Sequence, residues 1–272
     1  QTGGNGTTNC CIISGNAGDD NSLTVCQNDT AFDMFNQILG APNVGGLWYD
    51  PSNSLFGNFN INFNPSINSS GIYSYVVQGT TSCPDDTSFL DITVNSNPNV
   101  SFSLPNEICS NEQEIILNGS PNGGNYLGNG PNNNIFYPNN IGLNTITYFY
   151  TDTNNCTDTA IQNIIVYDAP NVIATSTNTS CFGYNDGQIN LNITGGTPPI
   201  TENWGGINTL ALYAGAYAYT VTDSNTCFVS DTVNVYEPPG FSTNIIGEDV
   251  ICNGDSNGFA IVDFQIDNFP TS

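Results

Sequence analysis

Along this chain the apolar residues fall mostly on alternate positions, in short runs. "GIYSYVV" (71–77), "FLDITV" (89–94), "NTITYFY" (144–150), "IQNIIVY" (161–167), "GAYAYTV" (215–221) and "DTVNVY" (231–236) all carry Val, Ile, Tyr, Phe or Thr at period two. Gly, Pro, Asn and Asp punctuate the runs, as expected for half-buried strands joined by tight turns. Helical spacing is confined to "DTAFDMFNQILG" (29–40), where Phe32, Phe35 and Leu39 share one helical face and Gly40 suits a C-terminal stop. The pattern predicts an all-β chain with one short helix in its first domain.

The runs repeat as phrases. "YAYTVTDSNTC" (217–227) matches "ITYFYTDTNNC" (146–156) and, more loosely, "IYSYVVQGTTSC" (72–83). The cysteines ending these phrases, Cys83, Cys156 and Cys227, lie 73 and 71 residues apart. A second class, Cys26, Cys109, Cys181 and Cys252, opens each unit at spacings of 83, 72 and 71. A fixed period marks a repeat array, and ~70 residues suits a small β-sandwich. Pro- and Asn-rich stretches at 95–100, 167–172 and 236–241 set the boundaries. The expected organisation is a tail of a preceding unit or leader (1–17), β-sandwich domains at 18–97 and 98–169, a third repeat at 170–239 and the start of a fourth at 240–272. The linkers are short and proline-stiffened, which predicts tandem domains held in line as a rod. Gln1 reads as a mature terminus or the start of a fragment, because no basic n-region or apolar h-region precedes the repeats.

Charge narrows the function. The 272 residues include 24 Asp and Glu and no Lys, Arg or His, for a net charge of −24. No side-chain ion pair can form, so cohesion rests on apolar burial, backbone ladders and covalent links. Nucleic acid is excluded as a partner, since Lys and Arg contacts to phosphate dominate that affinity. Docking on anionic lipid is excluded on the same ground, and no apolar run of ~20 residues exists to insert into a membrane. Catalytic pairs built on His or Lys are absent. Carboxylate-pair chemistry survives this filter, but Glu107, Glu112, Glu114, Glu202, Glu237 and Glu248 sit in no recognisable acid/base setting. The expectation is a non-enzyme without a cofactor.

Nine cysteines without CxxC or histidine do not suit zinc. Their spacing favours one bridge inside each unit: Cys26–Cys83, Cys109–Cys156 and Cys181–Cys227. Units of ~70 residues bury little core, and such loops would each contribute roughly 4 kcal/mol in the chain-entropy model. Cys252 would then pair beyond Ser272, and Cys10 or Cys11 before Gln1 or with each other. Disulfides imply an oxidising, extracellular compartment; buried free thiols are the alternative.

Other candidates each have a plain structural reading. Asp19, Asp20, Asp85, Asp86, Asp152, Asp223 and Asp255 fall in Asp/Asn-rich turns and are candidate Ca2+ ligands, but none matches an EF-hand or RTX spacing and Asx-turns between strands are the favoured reading. Trp48, Tyr126 and Trp204 lie beside Gly-Gly pairs; they could stack on sugars or fill a core between two sheets. Eight Asn-x-Ser/Thr sequons occur, among them those at Asn28, Asn68 and Asn192.

The third unit, "SCFGYNDGQINLNITGGTPPITENW…GAYAYTVTDSNTCFVSDTVNVYEPP", resembles the SprB-type repeat of giant Bacteroidota surface adhesins. The marks are the opening Cys-x-Gly, the GGTPP turn, the strand ending in Cys227 and the closing Glu-Pro-Pro. "VICNGDSNGFAIVDF" (250–264) resembles the next copy, and the first two units resemble the Ig-like or PKD-like modules that accompany such repeats. The match departs from the pattern at "PPITENW", where a second aromatic-rich strand is usual. The resemblance implies type IX secretion, display on the outer-membrane surface, and adhesion or gliding without catalytic residues. It also draws attention to Thr30, Thr159 and Thr232, which follow Asp and precede a small apolar residue as O-glycosylation sites do in that phylum. Two alternatives stand beside it: a carbohydrate-binding array that takes a glycan ligand, and a self-assembling fibre subunit.

Overall fold

The computed structural model describes residues 15–80 and 83–266. Cys10, Cys11 and most of the leading tail (1–17) lie outside the described residues. Chain contacts gather into two compact units. The first runs up to Ser103 and adds Leu117–Asn134 and Ile146–Gln162; the second comprises Leu104–Ile116, Ile135–Thr145 and the chain from Asn163. The fold is all-β, as the alternation predicts.

In the first unit the first repeat supplies β1 (Asn21–Cys26), β2 (Phe32–Asp33), β3 (Leu47–Tyr49), β4 (Leu55–Asn58), β5 (Asn62–Phe63), β6 (Gly71–Val77) and β7 (Asp86–Asn95). Five of them form a sheet in the order β1-β7-β6-β3-β4, and β2 pairs with β5. Neighbours in the larger sheet are antiparallel except β1, which runs parallel to β7 with Asn21 opposite Leu90 and Cys26 opposite Asn95. This is the G-F-C-C′ sheet of an Ig-like sandwich, with the first strand laid alongside the last. Period-two side chains from β6 (Tyr73, Tyr75) and β7 (Leu90, Ile92) meet Trp48, Phe63 and Met34 in a core that water does not reach.

The helix expected at 29–40 does not form. That segment holds β2, one 3-10 turn (Phe35–Gln37) and an extended Ile38. Asp33 explains the difference: its carboxylate accepts the Phe35 N–H at 2.9 Å and the Asn36 amide at 3.2 Å, which favours a tight turn over helix propagation. Met34 donates its N–H to the Ile61 carbonyl instead of to a helical partner. The buried side chains are Met34 and Ile38, while Leu39 is exposed.

The second repeat contributes to both units through β8 (Glu107–Cys109), β9 (Ile115–Ile116), β10 (Asn125–Gly128), β11 (Pro131–Asn132), β12 (Ile135–Phe136), β13 (Gly142–Thr151) and β14 (Thr157–Tyr167). Its sheet order, β10-β13-β14-β8, repeats β3-β6-β7-β1 of the first without a counterpart of β4, and β8 again runs parallel to the last strand, with Cys109 opposite Tyr167.

The remainder of the second unit holds β15 (Pro170–Thr177), β16 (Gln188–Gly195), β17 (Thr201–Asn203), β18 (Gly215–Thr222) and β19 (Phe228–Val235). The β15-β16 pair and the β17-β18-β19 sheet enclose Ile189, Leu212 and Val235, with Leu191, Trp204 and Tyr217 packed against them. A last hairpin joins β20 (Phe241–Glu248) to β21 (Phe259–Ile266), and its residues are exposed on both strands. Among the described residues no helix is long and apolar enough to cross a membrane.

Candidate functional site

Each repeat carries its cysteines at opposite ends of its last strand. Cys26 ends β1 beside Asn95, the final residue of β7, whereas Cys83 precedes Asp86, where β7 begins. Ten strand residues separate those ends by about 30 Å, several times the Cα separation a disulfide spans. Bridges inside a repeat are therefore geometrically excluded. The pairings Cys26–Cys83, Cys109–Cys156 and Cys181–Cys227 are corrected by the structure to Cys26–Cys156 and Cys109–Cys227. The Cα separations are 5.4 and 5.6 Å, within the ordinary disulfide range. The rule common to both is that an opening cysteine bonds the closing cysteine of the following repeat. Cys83, Cys181 and Cys252 have no sulfur partner among the described residues.

The same local architecture surrounds both bridges. On the opening side, Cys26 N–H donates to Asp29 Oδ2 at 2.8 Å and Cys109 N–H to Glu112 Oε1 at 3.3 Å. The next N–H in each case reaches the end of the last strand, Gln27 to Asn95 O at 2.9 Å and Ser110 to Tyr167 O at 2.8 Å. On the closing side, Asp152 Oδ1 accepts the N–H groups of Asn154 and Cys156, at 2.8 and 2.9 Å. Asp223 Oδ1 accepts those of Asn225 and Cys227, both at 2.9 Å, and its Oδ2 takes the Thr197 N–H, also at 2.9 Å. These are Asx-turns that aim the closing sulfur.

An asparagine reinforces each bridge with a hydrogen bond from the opening turn to the closing one. Asn28 Nδ2 donates to Thr157 O and Asn111 Nδ2 to Phe228 O, both at 2.8 Å. Each latch lies two residues after the opening cysteine and one after the closing cysteine. The sulfurs are shielded: Cys156 and Cys227 are fully buried, and Cys109–Cys227 packs against Ala169 and Tyr167. The recurring words "CQND" and "CSNE" carried this signal, but nothing in the sequence says that the asparagine reaches into the next repeat.

The other candidates have structural employment. Asp20 Oδ1 accepts the Phe89 N–H, Asp85 Oδ1 that of Gly79, Asp86 Oδ2 that of Ala17 and Asp255 Oδ2 that of Cys252. Asp19 pairs through its backbone with Leu39. These carboxylates occupy separate turns, and no group of three or more potential ligands that could hold a metal ion occurs among the described residues. Asp186, whose Oδ1 accepts the Ser180 N–H at 2.9 Å, is held below the usual carboxylate range by the Ser180 hydroxyl and then by that N–H.

The aromatic candidates form one recurring pair. Trp48 on Tyr75, Tyr126 on Tyr148 and Trp204 on Tyr219 have centroids 5.1, 4.6 and 5.3 Å apart at tilts of 42°, 36° and 43°. Trp48 is fully buried and so presents no face to a sugar. Thr30, Thr159 and Thr232 are exposed, the latter two on β14 and β19 with their N–H groups bound to the preceding aspartates. Asn28 is committed to its latch, Asn68 Oδ1 accepts the Asn64 N–H, and Asn192 is exposed on β16.

The comparisons with known proteins bear on the third repeat. Residues 173–209 match the SprB repeat. The match begins inside β15, takes in β16 and β17 and ends before β18, so it falls within the repeat that carries Cys181 and Cys227. No curated protein matches the chain. Among solved structures, titin domains I67–I69 (a three-Ig, E-to-A variant) align over 80% of this chain and 96% of their own at 9% identity and a TM-score of 0.34. Another I67–I69 fragment aligns over 80% and 95% at 10% identity and a TM-score of 0.32. Drosophila OTK extracellular domains 3–5 align over 84% and 96% at 13% identity and a TM-score of 0.26.

Proposed function

We propose that this chain is a non-catalytic segment of a large secreted surface adhesin, built from tandem Ig-like and SprB-type repeats that disulfides link in series. The SprB match at 173–209 carries the reading. The interleaved bridges support it, because links between successive repeats resist extension in a way that isolated modules do not. Buried disulfides favour an oxidising, extracellular setting. The finer assignment follows the family resemblance: export by the type IX system, display at the outer-membrane surface, and a role in attachment or gliding, with repeat boundaries near 98, 170 and 240. Thr30, Thr159 and Thr232 would carry O-linked sugars in the native material.

Freedom from Lys and Arg fits exposure, since trypsin-like proteases find no cleavage site in this region. Antibody raised against residues 170–239 tests the proposal on intact cells. Labelling of unpermeabilised cells, with the epitope surviving trypsin, is the expected result; labelling only after permeabilisation contradicts it.

A further inference from the structure

The hairpin of β20 and β21 copies that of β15 and β16 at a displacement of 71 residues. Pro170 pairs with Gly195 and Thr177 with Gln188; Phe241 pairs with Ile266 and Glu248 with Phe259. The loops copy as well. Ser180 N–H binds Asp186 Oδ1 and Ile251 N–H binds Asn257 Oδ1, while Tyr184 N–H and Asp255 N–H return to Cys181 O and Cys252 O. In the third repeat the inner face of this hairpin is closed by β17 to β19, leaving Ile189 and Val235 almost inaccessible. In the fourth the matching face stays open, with Phe241, Ile245 and Phe264 between 66% and 71% exposed. The β20-β21 hairpin is thus the opening half of a repeat whose closing half would have the chemistry of residues 196–239.

Cys181 occupies the position of Cys26 and Cys109. In all three the N–H three residues on returns to the cysteine carbonyl, from Asp29, Glu112 and Tyr184. The Thr179 N–H binds Tyr236 O at 3.0 Å, and Asn178 Oδ1 accepts the Tyr236 N–H at 3.1 Å, which sets this turn too at the exit of the last strand, through the residues before the cysteine and not the one after it. Both observed bridges run from such a turn to the next closing cysteine.

We propose that Cys181 is the third rung of a continuous sulfur ladder, bonded to the closing cysteine of the repeat that β20 and β21 open. The proposal rests on the array reading above. It also predicts that Cys252 does not bond within its own repeat but waits for the one after. Gly183 replaces the latch asparagine here and donates its N–H to Glu237 at 2.7 Å, so this rung relies on sulfur alone. Formation needs an oxidant of the disulfide class. The Cys181 thiolate attacks it and expels one thiolate, and the second cysteine then displaces the other. Two protein thiols lose two electrons and two protons while one small disulfide becomes two thiols.

The test joins residues 1–266 to a second copy of residues 196–239, refolded in a glutathione redox buffer. Mass mapping is expected to link Cys181 to the added copy of Cys227, and maleimide labelling of Cys181 should fall at least tenfold relative to the unextended chain. Hydrogen exchange at Phe259–Ile266 reports separately whether the added half covers the hairpin. Protection there with the added cysteine on Cys252, or with Cys181 still labelled, overturns the ladder while the array stands. Continued fast exchange overturns the array reading and the ladder with it. In a Cys181→Ser version of the extended chain, protection should persist with the added cysteine reactive; its capture by Cys252 would also count against the ladder.

Discussion

Three aspartates show how single residues shape the loops. Asp50, Asp152 and Asp223 each begin a turn in which one carboxylate oxygen collects the N–H groups two and four residues on. The residue three places on is left-handed in every case: Asn53 at φ 60°, Asn155 at 61° and Thr226 at 66°. Asparagine tolerates that conformation, whereas a β-branched threonine is strained in it. Thr226→Asn should therefore stabilise the protein by about 1 kcal/mol, read as a raised thermal midpoint. Asp223→Ala strands three backbone donors, two on one oxygen and one on the other, and should cost about 2–3 kcal/mol. If these carboxylates serve turns and not calcium, a chelator leaves the midpoint unchanged; a marked drop would restore the metal reading. The Asp50 carboxyl is held below the ordinary range first by the Ser52 hydroxyl, then by the Ser54 and Ser52 N–H groups. Its contribution is therefore present above the unfolded carboxyl pKa and is lost as pH falls through the lower folded value.

At the scale of strands, the aromatic pair explains why the same phrases recur. Tyr75 and Tyr148 each accept the N–H of a glycine, Gly46 and Gly124, at 2.9 Å, and donate to the carbonyls of Asn43 and Pro121. A Cβ on Gly46 or Gly124 would lie 2.4–2.7 Å from the tyrosine ring or the adjacent carbonyl, so the second glycine of each pair is a packing requirement, whereas the first, Gly45 or Gly123, meets open space and instead takes a left-handed φ of 97° or 96°. Tyr75→Phe leaves the buried Gly46 N–H without its partner and frees the Asn43 carbonyl, and should cost about 1–3 kcal/mol in a denaturant melt, with the strand content unchanged. Strand positions and the 71-residue period were legible because inward-facing Tyr, Val and Ile alternate with polar residues over whole strands. The segment at 29–40 misled because Asp33 turns the chain within one residue, which an apolar spacing cannot report. Trp48 and Tyr126 were legible as aromatics beside glycine; that each stacks on the tyrosine opposite it depends on register, which spacing leaves open.

For the whole molecule, the cysteine classes were visible but their pairing was not. Spacing groups Cys26 with Cys109 and Cys156 with Cys227, yet only the parallel first strand shows that an opener sits at the exit of its repeat. The bridge Cys26–Cys156 spans 130 residues, so in the chain-entropy model its loss should cost about 5 kcal/mol, slightly more than a bridge inside one repeat. Cys26→Ser should accordingly lower the denaturation midpoint sharply and expose Cys156 to alkylation.

Disulfide mapping of the unreduced chain addresses the interlocked repeats most directly. Cleavage must use an Asp- or aromatic-directed protease, as trypsin has no sites. Linked peptides containing Cys26 with Cys156 and Cys109 with Cys227 are the predicted result. Peptides joining Cys26 to Cys83 and Cys109 to Cys156, or free thiols at these positions in natural material, would contradict it.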